Sequence, residues 1–162
     1  AKDPKIGYQL INARAETVAE KPSFRSAFRQ RRCLIPANGF YEWQQLEGSR
    51  QKQPYFIGLQ DERPFAFAGL YEQWESPGGD ILETCTIITT TANDLVEPIH
   101  ERMPVILDPQ DYALWLDPSF DKIDSLQAML APYPAAAMKA YPVSSIVNSP
   151  KNDSPECKQP MS

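Results

Sequence analysis

Histidine occurs once in this sequence, cysteine three times and glycine seven times, and each scarcity excludes something. With His100 alone and no CxxC pair, a zinc-type centre would need scattered carboxylates, so neither a metal nor a cofactor is expected. Three widely spaced cysteines, Cys33, Cys85 and Cys157, make no disulfide framework and suit a reducing compartment. The glycines form neither a GxGxxG nor a Walker loop, which removes the usual phosphate cradles. No serine sits in a G-x-S-x-G elbow. No apolar run approaches the roughly 20 residues of a membrane helix, and "AKDPKIGYQL" is no secretory signal. No membrane partner is expected.

What remains is a chain of 162 residues, 42% hydrophobic and 23% charged, read as one domain over 1–162. Its net charge of −5 is unevenly spread. Residues 1–60 hold ten Lys/Arg against five Asp/Glu, whereas residues 61–124 hold three against fourteen. Fields are local at cellular salt, so the basic segment can meet phosphates although the whole is acidic. A merely solvated basic helix is the plain alternative.

Sixteen prolines punctuate short elements. "KPSFRSAFRQRR" (21–32) has Pro22 in its first turn and Phe24 four residues before Phe28, which predicts a helix. "CLIPANGFYEWQQ" (33–45) predicts two strands about an Asn38-Gly39 turn. "PYFIGLQ", "PFAFAGLYEQW" and the Thr- and Ile-rich "ETCTIITTTAN" predict further strands. Asn93 is a fitting cap for a turn before His100, and "MPVIL" predicts a short buried strand. "DPQDYALWL" (108–116) and "DKIDSLQAMLA" (121–131) have helical spacing, and "AYPVSSIVN" (140–148) predicts a last strand and turn. Runs of strands with connections too short for crossover helices predict an α+β fold, an antiparallel barrel-like core with peripheral helices.

Three constellations carry possible chemistry. "INAR" presents Asn12, with donor and acceptor, beside Arg14, whose fork suits phosphate; a surface strand end is the alternative. In "NGFYEWQ", alternation puts Glu42 on the face of apolar Phe40. A partly desolvated Glu42 would have a raised pKa and serve as an acid or base, unless it is a solvated strand end. Trp43 offers a ring for stacking on a base, or for the core. In "IHERMP", His100 moves protons beside Arg102, an anion holder, or else caps the preceding turn. A cysteine–histidine hydrolase would pair His100 with Cys33 or Cys85. Both read as small core residues, with nothing nearby to lower a thiol pKa.

Taken together, "INARAET", "RRCLIPANGFYEWQ", "QPYFIGL", "FAGLYEQW", "CTIITTTAN", "IHERMPVIL" and "VSSIVNSPKNDSPEC", in this order, resemble the SOS-response-associated peptidase (SRAP) family of abasic-site shielding proteins over residues 9–160. The resemblance implies an abasic-site sensor that binds single-stranded DNA and traps the sugar aldehyde as a thiazolidine. The nucleophile it implies is a cysteine at a processed N-terminus. It implies that Asn12, Glu42 and His100 line the catalytic pocket. Arg14 and Arg102 would hold phosphates, and Trp43 and Thr89 would contact the nucleotide. The family's peptidase name fits removal of its own first residue. A noncovalent single-strand binding module and a cysteine or autoproteolytic peptidase are the other readings. Family members are usually monomeric, placed in the cytoplasm and nucleoid of a bacterium or in a eukaryotic nucleus.

The family's leading Met-Cys-Gly-Arg and W-G-x-x-P-x-W motifs are not in this sequence, which starts with Ala. A processed chain or a fragment is expected. Cys33, Cys85 and Cys157 lack a free α-amine, so the chain as given is expected to lack crosslinking activity. Open sheet edges are expected to favour association.

Overall fold

In a computed structural model, residues 10–161 are described. They form β1 (Asn12–Arg14), α1 (Arg25–Gln30), β2 (Arg32–Ala37), β3 (Phe40–Gln45), β4 (Lys52–Leu59), β5 (Phe65–Glu75), β6 (Ile81–Thr91), β7 (Arg102–Pro104), α2 (Tyr112–Leu116), α3 (Ile123–Ala128) and β8 (Met138–Pro142). The fold is α+β, as expected. The barrel-like core resolves into two sheets, and neither closes on itself among the described residues. One runs β1-β6-β5-β2 with β7 against β6, and the other runs β3-β4-β8. None of the helices among the described residues is long and apolar enough to cross a membrane.

The chain divides into two interleaved units. The first takes residues up to Pro36, Phe65–Thr90 and Pro104–Pro132; the second takes Ala37–Pro64, Thr91–Met103 and the chain from Tyr133 on.

The first unit has a core of Phe24, Ala27 and Phe28 packed with Ala68, Leu70, Ile88, Val105, Leu107, Trp115 and Leu126. Trp115 is wholly buried, meets the Phe28 ring edge-on at 6.0 Å and donates its indole N–H to the Cys33 carbonyl at 2.9 Å. Arg32 lies over the Trp115 ring and donates to the carbonyls of Trp115, Phe28, Arg29, Asp117 and Phe120. One guanidinium thus serves carbonyls that the ends of α1 and α2 leave unpaired. The helix expected over 21–32 is shorter. It ends where Arg31 leaves helical geometry, and Lys21–Phe24 forms the turn that leads into it.

Two strand expectations need correction. β1 pairs with β6 in parallel, Asn12 with Ile87 and Arg14 with Thr89, so this sheet is not wholly antiparallel. Cys85 is exposed, not a core residue. It stands in the outer half of the β5–β6 ribbon, where Tyr71–Gln73 and Ile81–Cys85 are exposed throughout. Alternation in a strand promises two faces but not a cover for either of them.

In the second unit, β3 and β4 are antiparallel, with Glu42 opposite Tyr55 and Trp43 opposite Pro54. Tyr41, Phe56 and Tyr141 form a chain of ring contacts at 5.5 and 5.6 Å. The Asn38-Gly39 turn falls where expected, but Gly39 is required for a different reason. A Cβ there would stand 2.2 Å from Phe56 Cζ and 2.7 Å from the Ile57 carbonyl.

Candidate functional site

His100 owes its place to Asn93. The Asn93 side-chain oxygen accepts from the N–H groups of Leu95 and Val96, and its amide nitrogen donates to the Tyr133 carbonyl at 2.6 Å. Asn93 therefore does the capping expected of it. Val96 is wholly buried, and its carbonyl accepts from the N–H groups of Ile99 and His100. The Ala92 N–H donates to the Glu101 carbonyl and closes the loop. Gln44, on the same face of β3 as Glu42, donates from Nε2 to the Pro98 carbonyl at 2.9 Å. This bond ties the histidine-bearing loop to the glutamate-bearing strand.

The result brings Glu42 Oε2 to 3.9 Å from His100 Nδ1. The two side chains are 22% and 42% exposed, so both can be reached from solvent while the carboxylate is partly stripped of water. Burial pushes the Glu42 carboxyl above the usual range; His100, the Trp43 N–H and Lys52 pull against it. His100 Nδ1 lies 3.1 Å from the Arg102 N–H donor and 3.0 Å from the Arg102 carbonyl. A neutral ring with its proton on Nε2 accepts from that N–H. A charged ring donates from Nδ1 to that carbonyl and faces Glu42. Both protonation states have a partner in place, which an acid–base residue needs.

Trp43 alternates to the other face of β3 and donates from Nε1 to Asn148 Oδ1 at 2.7 Å. The indole is half-buried and held in one orientation. Arg102 is half-buried two residues beyond His100, and it is the Arg102 backbone that meets the imidazole.

In the first unit, Asn12 and Arg14 are exposed on either side of buried Ala13. Their pairing with Ile87 and Thr89 puts Asn12, Arg14 and half-buried Thr89 on one face of the sheet. The Thr89 hydroxyl reaches the Ala13 carbonyl at 3.4 Å. Side-chain amide, guanidinium and hydroxyl groups arranged in this way can receive a phosphate or a sugar hydroxyl.

Cys33 is no activated nucleophile: burial, then the neighbouring Cys85, pushes its thiol up to about 11. Cys157 is buried. Among the described residues no group of three His, Cys, Asp or Glu side chains is placed to hold a metal. Sequence reasoning alone misses two positioning contacts. Gln44 shares the alternation that picks out Glu42, so its face is legible though its partner is not. Asn148 lies in "SIVNSP", and only its order among the other motifs marks it.

Residues 1–150 match the family model described as SOS response associated peptidase (SRAP). The abasic site processing protein YoqW of Bacillus subtilis (strain 168) is 57% identical, over 96% of this chain and 69% of its own length. The abasic site processing protein HMCES of Pongo abelii is 36% identical, over 98% of this chain and 52% of its own. A crystal structure of a protein from Bacteroides thetaiotaomicron matches with a TM-score of 0.90 at 33% identity. That match covers 99% of this chain and 72% of the other.

Proposed function

Because the chain belongs to the SRAP family, we propose that it processes abasic sites in DNA, with Glu42 and His100 as the proton-transfer pair that opens the abasic sugar. The observation that carries this reading is the 3.9 Å approach of His100 Nδ1 to a carboxyl whose pKa burial raises. An abasic deoxyribose is a ring-closed hemiacetal that masks an aldehyde. To open it, a base takes the proton from the anomeric hydroxyl and the C1′=O bond forms. The C1′–O4′ bond breaks, and an acid delivers a proton to O4′. A carboxyl protonated to higher pH than usual suits the acid, and a neutral imidazole suits the base. Asn12 would orient the reacting group, Arg14 and Arg102 would hold flanking phosphates, and Trp43 and Thr89 would contact the nucleotide. Single-stranded DNA suits this set, because it calls for phosphate contacts and stacking, with no groove readout.

Covalent capture as a thiazolidine calls for a cysteine with a free α-amine, which Cys33, Cys85 and Cys157 do not have. Ring opening is the half of the chemistry to which the described residues are suited. It can be tested without the crosslink. An alkoxyamine traps the opened aldehyde of an abasic single strand, and the chain should accelerate that trapping. Glu42→Gln and His100→Ala should abolish the acceleration and leave binding to intact single strands unchanged. No acceleration by the unsubstituted chain, with equal affinity for abasic and intact strands, would sink the reading. The high Cys33 pKa weighs against a cysteine peptidase that uses this thiol.

A further inference from the structure

Five cations and no anions fall between Lys21 and Arg32. Two of them are consumed inside the fold. Arg31 pairs with Glu72 at 2.6 Å, and buried Arg32 is spent on backbone carbonyls. The other three, Lys21, Arg25 and Arg29, are exposed, and none has an ion-pair or hydrogen-bond partner for its charged end among the described residues. They are spaced four apart. The Arg25 N–H donates to the Lys21 carbonyl at 2.9 Å, so the turn at Lys21–Phe24 leads directly into α1, and Lys21 stands one turn before Arg25 as Arg25 stands one helical turn before Arg29. At 1.5 Å per helical residue Arg25 and Arg29 stand about 6 Å apart along α1, and Lys21 continues this ridge through the preceding turn. The flank that holds Phe24, Ala27 and Phe28 is buried, which leaves the ridge facing outward.

An ordinary solvated helix surface mixes signs, with acids one turn away to offset its cations. This ridge does not, although the chain as a whole is acidic. Repulsion between successive cations costs a helix something, and a polyanion removes that cost. A phosphodiester backbone presents charges in a row, and two of the three cations are guanidiniums, whose forks match phosphate oxygens. Resting on the reading of this chain as a DNA-processing protein, we propose that Lys21, Arg25 and Arg29 form an accessory track for the nucleic-acid backbone. It would hold strand beyond the nucleotides contacted by Arg14 and Thr89. The track adds affinity and salt sensitivity without base preference, and it takes no part in the chemistry.

The test is the salt dependence of binding to a long single strand of mixed sequence. Removal of one phosphate-binding cation lowers the slope of log K against log salt by about 0.7 for single strands, so Lys21→Gln, Arg25→Gln and Arg29→Gln together should lower it by about 2. Arg25→Gln alone should lower it by about 0.7 and guards against misfolding of the triple variant. A control with the same change in net charge, Arg50→Gln with Lys122→Gln and Lys151→Gln, should leave the slope in place. Lys21→Arg with Arg25→Lys and Arg29→Lys should also preserve it. An unchanged slope in the ridge variants, or an equal drop in the control, overturns the track. The trapping assay separates this outcome from failure of the functional reading. At saturating DNA the ridge variant should trap aldehyde as fast as the unsubstituted chain, whereas Glu42→Gln should lose trapping and keep its slope. Absence of abasic-dependent trapping together with a lowered ridge slope would remove the functional reading and leave the track standing.

Discussion

At the level of single residues, Glu42 carries a proton that the folded chain holds to higher pH than an unfolded one does. Its stabilising contribution is therefore full below about pH 4.3, the ordinary glutamate value, and is lost as pH rises through the raised folded value. Glu42→Gln cannot lose that proton. The melting temperature of Glu42→Gln should therefore gain on the unsubstituted chain between acid and neutral pH; a constant difference would show that Glu42 titrates normally. Gly39 gives a second prediction. Gly39→Ala forces a methyl into the Phe56 ring and the Ile57 carbonyl and should cost about 1–3 kcal/mol in urea denaturation. Residue types are the most legible layer of the sequence. Glu42 can be placed on a half-buried face because Phe40 shares it, and His100 stands out by being alone. Asn148 cannot be read, because its role is set by an indole 105 residues away.

At the level of elements, strands announce themselves wherever β-branched and aromatic residues run between turns, and β3 to β6 lie close to their expected bounds. The partners of short elements are not legible. β1 has three residues, too few to show a period, and its parallel pairing depends on what β6 offers. Cys85 departs from expectation for a related reason: periodicity reports a strand and is silent about what covers it. Two hydrogen-bonding side chains join elements in ways that can be measured. Gln44→Met keeps the length of the side chain but frees the Pro98 carbonyl. It should cost about 1 kcal/mol and broaden the His100 imidazole resonances as the loop loosens. Arg32→Met removes the donor shared by carbonyls near the ends of α1 and α2. Each buried carbonyl left bare costs about 1–3 kcal/mol, so thermal unfolding should show the largest loss of any variant named here.

At the level of the whole molecule, the outer β5–β6 ribbon presents Ile81 at 68%, Leu82 at 44% and Tyr71 at 37% exposure. Apolar side chains on an uncovered ribbon favour self-association. Sedimentation should show a concentration-dependent species that Ile81→Lys with Leu82→Lys removes; a monomer at all concentrations would count against this surface. The interleaving of the two units has a different kind of consequence, one that concerns time. The chain passes from one unit to the other at Pro36, Pro64, Thr90, Met103 and Pro132, so neither unit is a continuous stretch of sequence. A ribosome delivers residues in order. Glu42 and His100 both exist once His100 has been made, yet the sheet beneath Glu42 waits for β8, and Trp43 waits for Asn148. The first unit has all its segments once Pro132 has been made, whereas the second still lacks β8 and Asn148, so the strand that carries Glu42 stays without its full sheet after the core around Trp115 can close.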